Sequence, residues 1–443
     1  MQHRQPIAVI GLGYVGLCVA AALAESGYDV VGVDNAAALV TDLDQGVVRS
    51  REPGVAETAR RALAEGRLRA TTDYAAVADA EVIVITVGTP VTDELKLAED
   101  QLRGACTELS RHLRPGQLVI CKSTVPPGTT RDLVLPLLER GGLTGGRDFS
   151  LAFCPERLAE GTALADLRAL PIVVGGLDEA STAKAAAFWQ ESMNVPAIPQ
   201  DTLEAAEIVK LADNWWIDLN IALANELARF CSLFQVDVLD VISAANSIKK
   251  GNGSVNILLP SVGVGGSCLT KDPWMVWQTA ARHGLEVRTP QVGRLSNDEM
   301  PAYTARLVLE DLAARGLEPR SSTVAVLGLA FKNNTGDLRE TPVKGVVDEL
   351  AAAGVRLRAY DPMVEPDQAE ALFGLRPGDS LTETVRDADC VAVLALHKEF
   401  EDIDFAALPV AESCLVLDGR AYYPKEKIAM LRGLGYRYRG IGR

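Results

Sequence analysis

Three features of the sequence predict an α/β fold, with two doubly wound parallel-sheet domains joined by a central block of long helices. The chain opens with "IAVIGLGYVGLCVAAALAESGYDVVGVDN", which reads as strand, glycine turn, helix and strand. "LEAAEIVKLADNWWIDLNIALANELARFCSLF" then reads as one apolar-periodic helix with no glycine or proline to break it. Finally, "STVAVLGLAFKNNTGDLRETPVKGVVDELAAAGVRLRAYDP" returns to the opening order of strand, loop and helix, with a strand ending in an aspartate, Asp361.

The elements follow in order. Ile7–Ile10 and Val30–Val33 are short, wholly apolar runs, as expected of strands covered on both faces. The helix between them spans about Tyr14 to Glu25. Further strands are predicted within Ala80–Val87, Gln117–Thr124 and Phe149–Glu156, and helical patterns between several of them imply a parallel sheet. From about Asp201 to Arg315 the texture is helical. The stretch "TTDYAAVADAEVIVITVGT" is then echoed by "LTETVRDADCVAVLALHKE". These shifts predict a Rossmann-like domain over 1–200, a helical domain over 201–316 and a second Rossmann-like domain over 317–443.

Composition bounds the function. With 443 residues, 48% hydrophobic and 23% charged, the chain is of globular type and long enough for two or three domains. A net charge of −15 argues against a nucleic-acid partner but leaves room for small anions held by local cations and N–H groups. Eight scattered cysteines without a C-x-x-C pair, and four unclustered histidines, suggest neither a metal site nor a disulfide framework. A strand-like run begins almost at once, without a separate hydrophobic leader, and no apolar stretch reaches bilayer length. The expected setting is the cytoplasm.

Gly11, Gly13 and Gly16 form G-x-G-x-x-G directly after a strand and at the opening of a helix, with Tyr14 and Val15 inside the turn. Such a turn lets a pyrophosphate approach the helix N-terminus. Asp34 ends the second strand, where a carboxylate accepts from ribose hydroxyls. No arginine follows in "DNAAALV" to offset a 2′-phosphate, which predicts NAD rather than NADP. The second half has "GLAFK" in place of the glycine fingerprint, so a different ligand is expected there.

Lys210 and Asn214 stand at i and i+4 on one face of the long helix. A helical lysine is commonly a solvated one, but "IVKLADNWW" is apolar, and a lysine with a carboxamide stabilises a developing oxyanion. Cys268 follows Gly263, Gly265 and Gly266 and precedes Lys271 and Asp272. Free cysteine is usually a small buried hydrophobe, which suits Cys18, Cys106, Cys231, Cys390 and Cys414. Cys268 differs in its bare glycine neighbours and in its place before a helical pattern, where a thiolate is favoured. Beside NAD, a cysteine nucleophile suits oxidation of an aldehyde to an acid through a thioester, with Asp272 to manage water and protons.

In family order the chain carries "GLGYVG", "VGTPV", "KSTVPPGTT", "CPERLAEGTAL", "EAAEIVKLADN", "GVGGSCLTKDP", "FKNNTGDLRETP" and "LDGRAYY". It thereby resembles the nucleotide-sugar 6-dehydrogenases, which act on UDP-glucose, UDP-N-acetylmannosamine, UDP-N-acetylglucosamine or GDP-mannose. The resemblance covers essentially the whole chain. It implies cofactor contacts at Gly11, Gly13, Tyr14, Val15, Gly16, Asp34, Thr89, Thr124 and Arg339. It implies a catalytic set of Thr124, Glu156, Lys210, Asn214, Cys268 and Asp272. Glu156 is then a general base or acid aided by a water on Thr124 and Asp272. Lys210 and Asn214 are the oxyanion pair and Cys268 the thioester nucleophile. Substrate contacts are implied at Glu156, Leu158, Glu160, Lys210, Asn214, Phe331, Lys332 and Arg420, and along the loop Asn256, Leu259 and Gly263. Each residue also has a plainer reading: Thr124 as a turn residue, Glu156 as a surface acid, Lys332 and Arg339 as solvated loop cations.

The resemblance further implies a homodimer built on the long helix and a nucleotide held by the last domain. One departure is that family members often carry an arginine before the "GVGG" loop. Here Asn252 and Ser254 stand in that segment, with Lys249 and Lys250 as the available cations. Two signals bear on the sugar and point apart: "CPER", with Arg157, resembles the N-acetylhexosamine branch and "GGSC" the glucose and GDP-mannose branches. The expectation taken is a four-electron oxidation of a UDP-N-acetylhexosamine or UDP-hexose at C6. The alternatives are a UDP-glucose or GDP-mannose enzyme, a two-electron β-hydroxyacid dehydrogenase, and a non-catalytic nucleotide-sugar sensor.

Overall fold

The computed structural model describes residues 6–50, 52–92, 94–251 and 253–443. Contacts divide the chain into two compact units, Met1–Asp213 with Gln278–Leu285, and Asn214–Trp277 with Glu286–Arg443.

The first unit is built on eight strands: β1 (Ile7–Ile10), β2 (Val30–Val33), β3 (Leu68–Thr71), β4 (Val82–Ile85), β5 (Leu118–Cys121), β6 (Ser150–Phe153), β7 (Ile172–Gly176) and β8 (Ala197–Gln200). They lie in the order β3-β2-β1-β4-β5-β6-β7-β8, and every pair is parallel except β6 with β7. Strand order reverses between β1 and β4, the place where such sheets open a crevice at their carboxyl ends. Both faces of β1 are covered. Ile7 and Val9 join the core that includes the helix Tyr14–Glu25, whereas Ala8 and Ile10 join the core of the opposite face. The pleat therefore buries every residue, which is why these strands read as unbroken apolar runs. Residues 16–24 of the first helix are all buried, as suits a helix covered on every side.

The helix Leu203–Ser232 spans 30 residues and passes through the division between units. In the second unit a two-residue hairpin pairs β9 (Lys249–Lys250) with β10 (Gly253–Ser254). Lys249, Lys250 and Ser254 are exposed there, and Asn252 lies outside the described residues. The second sheet comprises β11 (Thr323–Leu327), β12 (Arg356–Tyr360), β13 (Cys390–Val393), β14 (Leu415–Asp418) and β15 (Arg437–Gly440). Their order is β12-β11-β13-β14-β15, all parallel. One face packs on the helices Met300–Ala314 and Val343–Ala352; the other holds Phe400, Phe405 and Tyr423. Among the described residues no helix is long and apolar enough to cross a membrane.

Candidate active site

At the end of β1 the chain turns at Gly11 with φ of +89°, a conformation that favours glycine. A Cβ on Gly16 would stand 1.8 Å from the Gly11 carbonyl oxygen, so the helix can approach the strand end this closely only without a side chain there. A Cβ on Gly13 would meet nothing within 4 Å. That open face sits at the N-terminus of the helix, where N–H groups and the dipole favour an anion. Half-buried Asp34 accepts from the N–H groups of Leu12 (2.6 Å) and Ala36 (2.9 Å), and its remaining lone pairs suit ribose hydroxyls. These groups fit NAD.

The other expected cofactor residues differ in burial and in bonding. Val15 is half-buried, and Thr89 is buried shortly after β4. The Tyr14 hydroxyl donates to Glu52 (2.6 Å), which also accepts from the N–H groups of Gly161 (2.9 Å) and Ala163 (2.7 Å). Burial and then Glu52 push the Tyr14 pKa far up, so its side chain serves as a strut. Arg339 lies in the second unit, with its guanidinium held by Asp337 at 2.7 Å.

Thr124 is half-buried just beyond β5, and Glu156 is 9% exposed just beyond β6. Glu156 Oε1 accepts from the Leu158 N–H (2.5 Å). Its Oε2 lies 3.0 Å from Lys122 Nζ, at ion-pair distance but outside hydrogen-bond alignment. Lys122 is 1% exposed, donates to the Pro155 carbonyl (3.3 Å) and stands 5.3 Å from the Trp189 ring centroid. A buried ammonium needs such partners. The sequence reading missed Lys122; a lysine at the end of the apolar run "LVICK" was the available signal. Arg157 is tied to Asp213 (3.0 Å) and to the Pro171 carbonyl (3.4 Å), while Leu158 and Glu160 are half-buried.

Lys210 and Asn214 lie one turn apart in Leu203–Ser232 and are 7% and 6% exposed. In the second unit Asn214 Nδ2 donates to Asp272 Oδ2 (2.5 Å), and Lys271 Nζ donates to Asp272 Oδ1 (2.6 Å). Asp272 is wholly buried, so both oxygens are satisfied within this cluster. The structure thereby brings together Asn214 and Asp272, which lie 58 positions apart in sequence.

Seven of the eight cysteines are buried, and Cys268 is exposed. Burial pushes the thiols of Cys18, Cys106, Cys154 and Cys414 up to about 12 and raises those of Cys121 and Cys390 well above the ordinary thiol range, which leaves them inert. The helix begins at Asp272, later than a helix-start thiol requires. It is the Cys268 carbonyl that accepts from the N–H groups of Lys271 (3.2 Å) and Asp272 (2.9 Å). The glycines also do something the sequence did not reveal. A Cβ on Gly265 would lie 2.5 Å from the Glu340 carbonyl oxygen, and one on Gly266 would lie 2.8 Å from the Phe331 ring. They allow close packing against the loop at 331–342, so the bare backbone is a docking face as well as an approach to the sulfur.

The loop leading to Cys268 is held by carboxamides. Asn220 donates to the Asn256 carbonyl (2.7 Å) and accepts from the Leu258 N–H (2.8 Å). Buried Asn225 accepts from the Ser261 N–H (2.8 Å) and donates to Asn297 (2.9 Å), which donates to Asp218 (2.8 Å) beside Arg294. Asn256 and Leu259 remain exposed, and Gly263 is buried. Phe331, Lys332 and Arg420 are half-buried around one loop, with Arg420 donating to the carbonyls of Leu394 (3.3 Å) and Phe331. Among the described residues no group of three or more histidine, cysteine or acidic side chains is arranged to hold a metal.

Comparison with known proteins gives three family matches along the chain. Residues 5–193 match the NAD binding domain of the UDP-glucose/GDP-mannose dehydrogenase family, 204–299 its central domain and 325–425 its UDP binding domain. UDP-N-acetyl-D-mannosamine dehydrogenase of Pyrococcus horikoshii is 32% identical over 441 residues, 99% of each chain. UDP-glucose 6-dehydrogenase of Haloferax volcanii is 34% identical over 422 residues, 94% of this chain and 96% of the relative. The solved structure of UDP-D-ManNAc dehydrogenase from Pyrococcus horikoshii superposes with a TM-score of 0.88 at 32% identity, covering 99% of both chains.

Proposed function

The chain belongs to the UDP-glucose/GDP-mannose dehydrogenase family, and on that premise we propose that it oxidises the C6 alcohol of a UDP-N-acetylhexosamine to the uronic acid through a thioester on Cys268. The coarser activity, NAD-dependent dehydrogenation of a nucleotide sugar, follows from the family itself. The observation that carries the finer reading is the single exposed cysteine, Cys268, set four residues before a buried and fully bonded acid, Asp272.

Bound NAD supplies the hydride acceptor for both oxidations. Gly11, Gly13, Gly16 and Asp34 bind it, joined by Tyr14 and Val15 of the turn and by Thr89, Thr124 and Arg339. Lys210 and Asn214 stabilise the substrate oxygen as it gains negative charge. Cys268 Sγ adds to the aldehyde carbon, and loss of hydride from the resulting thiohemiacetal leaves a thioester. Glu156, beside Lys122, takes a proton from the water that cleaves it, with Thr124 and Asp272 orienting that water. Glu160, Leu158 and the loop at Asn256, Leu259 and Gly263 contact the sugar. Phe331, Lys332 and Arg420 hold the nucleotide.

The three-part division at 1–200, 201–316 and 317–443 assigns these tasks to cofactor domain, helical domain and nucleotide domain. Exposed Leu223, Phe230, Leu233 and Phe234 support a homodimer built on the long helix. A cytoplasmic setting, where NAD is at hand, completes the reading. Arg157 in "CPER" and relatives such as that of Pyrococcus horikoshii support the N-acetylhexosamine.

A panel of UDP- and GDP-sugars scored for NADH release tests the substrate. The expected result is two NADH per UDP-N-acetylhexosamine consumed. A single NADH per sugar sinks the four-electron reading, and preference for UDP-glucose or GDP-mannose sinks the sugar assignment. Cys268→Ala is expected to keep NAD binding and to lose uronate formation; undiminished uronate from that variant removes the thioester.

A further inference from the structure

The second sheet repeats the dinucleotide frame of the first almost bond for bond. Gly11 N–H donates to the Val33 carbonyl (2.8 Å), and Gly328 N–H donates to the Tyr360 carbonyl (3.0 Å). Leu12 N–H donates to Asp34 Oδ2 (2.6 Å), and Leu329 N–H donates to Asp361 Oδ2 (2.7 Å). The other carboxylate oxygens accept from Ala36 (2.9 Å) and Met363 (2.8 Å).

The two aspartates then diverge. Asp34 is half-buried, whereas Asp361 is 5% exposed and its Oδ2 lies 3.0 Å from Nε2 of His397. His397 is 1% exposed. Its Nδ1 accepts from the Asn334 N–H (2.8 Å), so the ring proton sits on Nε2 and is donated to Asp361. The lone pair that Asp34 keeps for a ribose hydroxyl is therefore occupied in Asp361 by a histidine of the same chain.

That histidine also anchors a seam. Asn333 Oδ1 accepts from the Leu396 N–H (3.1 Å) and from the Tyr422 hydroxyl, and Asn334 Oδ1 accepts from the Lys398 N–H (2.8 Å). Phe331 and Lys332 lie on the strip stitched in this way. His397 is the point at which the strip is fastened to the sheet through a carboxylate.

We propose that His397 is a positioning residue: it closes the ribose position of the second sheet and fixes the loop 329–335 in the form that receives a nucleoside diphosphate. This rests on the reading that the loop holds the nucleotide of the substrate. The frame is thereby withdrawn from dinucleotide duty and its rim is given to another ligand.

The test uses the full chain, with UDP titrated by calorimetry alongside steady-state kinetics. His397→Leu removes both bonds, taking one of two donors from Asp361 Oδ2 and the side-chain acceptor from the Asn334 N–H, so UDP Kd and the nucleotide-sugar KM should rise about tenfold. The KM for NAD and kcat at saturation should stay within about twofold, as expected when only binding of the other ligand is touched. His397→Asn keeps an acceptor for the Asn334 N–H and should recover most of the affinity. If His397→Leu does not fold, His397→Gln, which reaches Asp361 but not the loop, should weaken UDP binding several-fold at unchanged Tm. Unchanged UDP affinity in a folded variant overturns the proposal. So does a parallel worsening, with NAD KM raised and kcat and Tm lowered, that His397→Asn fails to relieve. Lys332→Ala separates the two layers: if it binds UDP as the parent does, the loop is not the nucleotide seat and the underlying reading falls. If Lys332→Ala weakens UDP binding while the His397 variants do not, only the histidine's role falls.

Discussion

In the first sheet β1 runs into Gly11 (φ +89°), and the helix Tyr14–Glu25 starts three residues later. In the second, β11 runs into Gly328 (φ +82°), and the next helix waits until Val343. Positive φ favours glycine at both; a Cβ on Gly11 would lie 3.0 Å from the Val87 nitrogen, and one on Gly328 would lie 2.2 Å from the Ala395 carbonyl oxygen. What differs is the rim. The first leaves Gly13 open above a helix N-terminus; the second replaces it with Ala330, inserts a stitched loop and closes Asp361 with His397. A shared backbone frame therefore says how the chain turns and not what it binds; the side chains at the rim say that.

The largest effect probes the frame. Gly11→Ala and Gly328→Ala should each destabilise the chain by about 1–3 kcal/mol, because φ is positive at both and backbone atoms crowd the place of a Cβ. Similar losses in thermal unfolding support a common frame, and a tolerated substitution at either position breaks it. The next effect asks whether the halves respond differently to pH. Buried Glu207 accepts from Gly128 (2.6 Å) and from Thr130 N–H (2.9 Å) in the first unit, and burial pushes its pKa up to about 7. The folded chain holds this proton more tightly than the unfolded chain. Stability should therefore be greatest below the ordinary carboxylate range and fall by about 3 kcal/mol as pH rises toward 7. Glu207→Gln should flatten that slope in a Tm series; an unchanged slope assigns it elsewhere.

A smaller effect compares the aspartates. Asp34→Asn should raise the KM for NAD about tenfold by weakening the hydrogen bonds a ribose accepts or shares, whereas Asp361→Asn should leave it within about twofold. Equal effects would sink the distinction between open and closed rims. The smallest is Ala330→Gly, which restores a glycine at the second turn. It should cost about 0.5–1 kcal/mol through the unfolded chain and create no second NAD site. A second equivalent of bound NAD in that variant would show that the histidine and loop are not what excludes it.

Much of this was legible residue by residue. The bounds of β1, β2 and the first helix follow from the sequence because apolar runs, glycines and the closing aspartate all point one way. The strands expected within Ala80–Val87 and Gln117–Thr124 are shorter, Val82–Ile85 and Leu118–Cys121. At their ends Thr86 and Gln117 turn their side chains to carbonyls of other segments. Such bonds depend on distant partners that periodicity does not show. Lys122 and His397 escaped for the same reason, since each has meaning only through Glu156 or Asp361.

The strand–helix–strand opening, the glycine turn with its aspartate, and the bare glycine neighbours of Cys268 were determined by sequence alone. They depend on neighbours within a few residues, where backbone geometry and hydrophobic period act directly. The tertiary structure decided that seven thiols are buried and one is not, that Asn214 meets Asp272, that Lys122 faces Glu156, and that His397 closes Asp361. Each of these joins positions far apart in the chain, and a buried charge or polar group finds its partner only when packing excludes the water that would otherwise serve.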